Sequence, residues 1–135
     1  MTPRDERVTY EAGVHNVTSA LTEEQASVCR RFGVPPVKTG PDVKVGIAKN
    51  VAKEQDLWPL NGLRHPPEAD TAGWYLWAGE AFPENPRLWV PLHAAHLAQY
   101  RPICLPYLAL PPGWRFLLAP GYEDVWYDET LLVLD

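Results

Sequence analysis

The sequence predicts a small α+β domain, a mainly antiparallel sheet with helices packed on one face. Val43, Val45 and Ile47 alternate with Lys44 and Gly46, and Gly73 to Gly79 sets Trp74, Leu76 and Ala78 opposite Tyr75 and Trp77. Both are period-two signatures of strands. Ala26, Cys29 and Phe32, with Val28 beside them, repeat at helical spacing. Two further strand-like runs, Trp114 to Leu118 and Asp124 to Tyr127, flank Ala119-Pro120-Gly121. The order and lengths of these segments suit one sheet with one helical layer. At 135 residues and 15.2 kDa, with 46% hydrophobic and 21% charged residues, the chain has room for one domain with its own core. We expect that domain over residues 8–135, behind a flexible polar stretch at 1–7.

Taken in order, Val8 to Val14 reads as a short strand. Thr22 and Gln25 have capping-box spacing, Glu23 and Glu24 complement a helix dipole, and Leu21 precedes them as a staple. A helix is therefore predicted to start at Thr22 and to end at Gly33 and Pro35-Pro36. Cys29 falls on its apolar face and reads as a small core residue. Lys49 and Lys53 lie at helical spacing on a solvated face. Asn61-Gly62 and Pro66-Pro67 break the run from Gln55 to Thr71, which is expected to be a long ordered loop. Pro91 suits a first helical residue, with Leu92, Ala95, Leu97 and Tyr100 over one broad face. Pro102 opens a second helical turn that Pro106 interrupts, and Leu110-Pro111-Pro112-Gly113 is a turn.

The net charge of −5 is unevenly divided. Residues 1–57 carry 8 Lys+Arg against 8 Asp+Glu, whereas residues 58–135 carry 4 against 9 and no lysine. Such a surface is a poor binder of nucleic acid, whose phosphates demand cations. It suits a basic protein partner. The N-terminal MTPRDERVTY has no signal-peptide core, and no apolar run approaches the ~18 residues of a membrane span. A cytoplasmic protein that binds no membrane is expected. Cys29 and Cys104 alone make neither a disulfide framework nor a zinc site.

His93 and His96 stand at i, i+3, and with His65 they would offer three imidazoles to a metal with an open position for water. No Glu stands between them as in the zincins, so one core and one solvent histidine is the plainer reading. Glu80, Glu84, Glu123 and Asp124 would serve acid–base chemistry only as a pair at fixed separation, and acidic loops are usually solvated. There is no GxSxG, Walker lysine loop or GxGxxG. No catalytic residue, metal or cofactor is expected. The rings of Trp58, Trp74, Tyr75, Trp77, Trp89, Trp114, Tyr122, Trp126 and Tyr127 exceed what a core of this size hides. About half are expected in the core, and the rest on a partner-binding face. The candidates for that face are Arg64, Trp77, Glu80, Tyr122, Glu123, Asp124 and Trp126. Arg64 is expected to pair with a carboxylate such as Glu80 or Asp124.

Five ordered stretches carry a resemblance: Asn61 to Pro67, Gly73 to Glu80, Pro91 to Leu97, Leu110 to Leu117 and Gly121 to Asp128. They resemble immunity-protein-like domains of bacterial polymorphic toxin systems, a family first described as a domain of unknown function. The resemblance covers a little over half the chain. It implies a non-enzymatic protein that binds and neutralises a cognate toxin domain, as a monomer or weak homo-oligomer. It carries over no catalytic residue. Two alternatives stand beside it: a small metal-dependent hydrolase using His65, His93 and His96, and an aromatic-groove peptide-binding module.

Overall fold

The computed structural model describes the backbone of residues 12–133, and side chains from residue 21 onward. Helix α1 (Ala12–Arg31) is followed by strand β1 (Lys44–Ala48) and the short helix α2 (Lys49–Lys53). Strands β2 (Leu60–Arg64), β3 (Thr71–Ala78) and β4 (Trp89–His93) come next, then the single-turn α3 (Leu97–Tyr100). Strands β5 (Trp114–Ala119) and β6 (Tyr122–Tyr127) close the chain, and 3₁₀ segments at Pro102–Tyr107 and Glu129–Leu132 complete the described elements used below. The strands form one sheet in the order β4-β1-β3-β2-β5-β6. β1 and β3 are parallel and the other neighbouring pairs antiparallel, so the α+β expectation holds.

The helix begins at least ten residues before the predicted start, so Thr22 lies in its middle. The expected strand over Val8 to Val14 is helical at Ala12–Val14, and residues 1–11, including the stretch expected to be flexible, lie outside the described residues. Capping-box spacing had a different cause here: the Gln25 amide donates to the Leu105 carbonyl, 2.9 Å away. The end is as predicted. Gly33 adopts φ +72°, its N–H donates to the Arg30 carbonyl, and the Val34 N–H donates to that of Cys29. These are the two bonds of a Schellman cap. Cys29 and Cys104 are buried, as expected for Cys29, and burial raises both thiols, Cys104 to about 12.

The expected loop from Gln55 to Thr71 instead contains β2, a central strand buried along its whole length. Asn61-Gly62 usually signals a turn, but here both residues serve packing. A Cβ at Gly62 would come within 2.3 Å of the Phe116 ring, so only glycine lets β5 approach. The Asn61 amide donates to the carbonyls of Pro59, Trp77 and Gly79 at 2.8–3.3 Å.

Pro91 lies in edge strand β4, opposite Gly46, and does not start a helix. The Ala94 N–H donates to the Val43 carbonyl. Alternation from there turns the Pro91 nitrogen outward, where a missing N–H breaks no ladder bond. Helical backbone begins only at Ala94.

The main core lies on one side of the sheet. It joins Val45, Ile47, Leu60, Trp74, Leu76, Phe116 and Leu118 to Val28 and Cys29 of α1, Val51 of α2, Leu97 of α3 and Cys104. The three α-helices pack on this side, whereas Leu131 of the 3₁₀ segment Glu129–Leu132 is buried against the other.

The uncovered sheet face as candidate functional site

Strand alternation aims the remaining side chains at the opposite face, which no described α-helix crosses. The rings of His65, Tyr75, Trp89, Phe82 and Trp77 run across it in an unbroken series, with successive centroids 5.6, 5.8, 5.2 and 4.9 Å apart. Tyr75 lies over Gly46, where a Cβ would meet its ring at 2.8 Å. Trp89 is fixed by its indole N–H, which donates to the Pro83 carbonyl at 2.8 Å. Trp77 is only 4% exposed because Phe82, itself 49% exposed, packs on it from the loop after β3. Beneath them Ala48, Leu63, Trp77 and Leu131 form a second, smaller core.

Two adjoining depressions flank Tyr75. One, of about 320 Å³, is lined by His65, Glu68, Thr71, Gly73, Tyr75 and Phe82, among others. The second, of about 220 Å³, reaches Gly46, Trp89 and Pro91. Gly73 makes both, because it bulges β3 at φ +93° to admit the His65 carbonyl, which a Cβ would strike at 1.9 Å.

The rest of the face belongs to β5 and β6. Register places Trp126 beside Arg115 and Asp124 beside Leu117. The Arg115 guanidinium lies 5.2 Å from the Trp126 ring and donates to Asp128 at 3.1 Å. A hydrogen bond from the Thr130 hydroxyl, and next the Arg115 contact, hold the Asp128 carboxyl below its usual range. Tyr122 is 56% exposed and Asp124 is exposed.

The other predicted residues fall elsewhere. Glu80 is exposed in the loop that carries Phe82. Glu123 faces the helical side, where both its oxygens accept from Arg31 at 2.7 Å and one accepts from the Tyr107 hydroxyl. Burial and then that bond raise the Tyr107 phenol to about 12. Arg64 is 1% exposed. It does not meet Glu80 or Asp124: its guanidinium donates to the carbonyls of Ala72, Val37 and Leu110 at 2.7–2.9 Å, over the Trp74 ring. Burial lowers it to about 10. Arg101 repeats the device, donating to the carbonyls of Val51, Glu54 and Leu57 over Trp58.

The three histidines do not converge. His65 Nδ1 lies 3.0 Å from the Leu131 carbonyl, while His93 and His96 pair with each other at 6.0 Å. Among the described residues no group of three His, Cys, Asp or Glu side chains is placed to hold a metal. Sequence reasoning missed Phe82 and Leu131, whose loops show no periodicity to reveal which face they cover.

A site built of rings and surface carboxylates suits binding rather than acid–base or metal chemistry. The chain belongs to the Imm33-like domain family. The match runs over residues 24–128, from the middle of α1 to the end of β6. It thus spans the whole sheet of this Imm33-like domain, the uncovered face included. No curated protein and no solved structure matches the chain. No described helix is long and apolar enough to cross a membrane.

Proposed function

We propose that this Imm33-like domain is a non-enzymatic immunity protein that binds a cognate bacterial toxin domain in the cytoplasm and neutralises it through the uncovered sheet face. The observation that carries the reading is the run of rings from His65 to Trp77 on a face that no described α-helix covers, bordered by carboxylates. Aromatic anchors supply the area that a partner buries, and peripheral carboxylates steer a basic one. The accessible charge is more acidic than composition suggests. Of the four arginines beyond residue 57, Arg64 and Arg101 are buried and Arg115 is paired with Asp128. Within the set chosen from sequence, Trp126, Tyr122, Asp124 and Glu80 remain our interface residues, with Trp77 acting beneath Phe82. Arg64 and Glu123 serve the fold. Co-expression with the toxin gene adjacent to this one tests the reading. Rescue of growth and co-purification of a complex are expected, and a toxin that neither binds nor is silenced would refute it.

A further inference from the structure

The larger depression beside Tyr75 has a lining whose chemistry specifies what it accepts, if the uncovered face is the binding face as proposed above. Gly73 leaves its floor without a side chain, and the Tyr75 and Phe82 rings and the exposed Glu68 stand around it. His65 lines it too, with its Nδ1–H donating to the Leu131 carbonyl, which can only accept. Among the described residues no Lys or Arg lines this cavity, and the Glu68 carboxylate has no ion-pair partner. Glu80 and Glu84, on either side of Phe82 in sequence, are both exposed. The cavity therefore offers π faces and a carboxylate, and no Lys or Arg among the described residues to balance it.

The protein itself shows how such surfaces are satisfied. Arg31, Arg64, Arg101 and Arg115 each hold a guanidinium 5.0–5.6 Å from an aromatic ring centroid. We propose that this cavity receives an arginine side chain of the toxin, its guanidinium stacked against Tyr75 and Phe82 and its N–H fork directed at Glu68. A guanidinium fits better than an ammonium because it is planar, less strongly hydrated, and able to stack and bind a carboxylate bidentately at once.

The test needs no toxin. The ¹⁵N-labelled full chain is titrated with acetyl-Gly-Arg-Gly-amide, and with the Lys and Leu peptides of the same form. Saturable amide shifts centred on Gly73, Tyr75 and Phe82 are expected, with a Kd about tenfold below that of the Leu peptide and about threefold below that of the Lys peptide. Glu68→Gln changes an exposed side chain and should raise the Kd for the Arg peptide at least about threefold. Phe82→Ala should do the same, with folding checked by melting. Shifts centred elsewhere, an equal response to the Lys or Leu peptide, or an unchanged Kd in Glu68→Gln would overturn the assignment. Growth rescue by co-expression reads the immunity function separately, so the two failures are distinguishable.

Discussion

Trp74 and Trp77 stand three residues apart on β3 and so project to opposite faces of one sheet. Trp74 is fully buried, with its indole N–H donating to the Leu108 carbonyl at 3.0 Å and the Arg64 guanidinium 5.6 Å from its ring. Trp77 is nearly as buried, yet its indole nitrogen has no hydrogen-bond partner and its cover is Phe82, a half-exposed ring on a loop. The first face is closed by helices and by directional bonds to main-chain carbonyls. The second is closed by rings stacked on rings, which fixes position less strictly. Equal burial thus conceals unequal surroundings: one face sets the fold, and the other is the face we propose for partner binding.

The comparison predicts a graded series of effects. Trp74→Ala should cost about 3–5 kcal/mol in chemical denaturation, whereas Phe82→Ala should cost less than about 1 kcal/mol. Similar losses would erase the distinction between the faces. Arg64→Ala should cost about 3 kcal/mol, since it strands carbonyls on three segments, and Arg64→Lys should recover little of it because one ammonium replaces a five-donor fork. Restoration of full stability by lysine would show that charge, not geometry, matters there. Asp124→Lys should leave stability within about 0.5 kcal/mol but slow association with the toxin. Its on-rate should also fall less steeply with salt than that of the unmodified protein, which stopped-flow binding at two ionic strengths reads directly. The smallest effect concerns acid. Asp128 is held below the ordinary value of 3.8, so its ionised form favours the folded state. That stabilisation is complete above about pH 5 and is lost as pH falls through the lowered value. Asp128→Asn should therefore show a shallower loss of stability between roughly pH 5 and 2, measured by melting temperature.

Much of this fold was legible where periodicity and environment agree. The β3 alternation, the apolar face of α1 around Cys29, the Gly33 cap and the Pro120-Gly121 hairpin all follow from local rules. Misreadings arose where a residue served a distant partner. Asn61-Gly62 looks like a turn because both residues tolerate one, but Phe116, more than fifty positions away, decides the matter. Pro91 can open a helix or sit on an edge, and only β1 beside it selects the edge. Gln25 completes a capping pattern while bonding a carbonyl eighty residues on. At the site, alternation correctly set Tyr75 and Trp77 apart from Trp74. It was silent on Phe82, and it misjudged Arg64, because a guanidinium satisfied by carbonyls leaves no charge pattern to read. Reversing Glu123 would place a second cation beside Arg31, so Asp124 is the cleaner probe of steering.

Pro91 carries a consequence for how copies of this protein meet. Fibrous growth by strand addition requires every molecule to be competent at both borders of its sheet. The β4 border lacks a donor at its middle outward position, whereas no described strand lies against the β6 border. A second molecule added at β6 would present its own β4 border outward, where Pro91 disfavours a further strand. A proline placed there blunts one of the two borders along which copies could add, on a sheet whose second face carries the half-exposed rings of Tyr75 and Phe82.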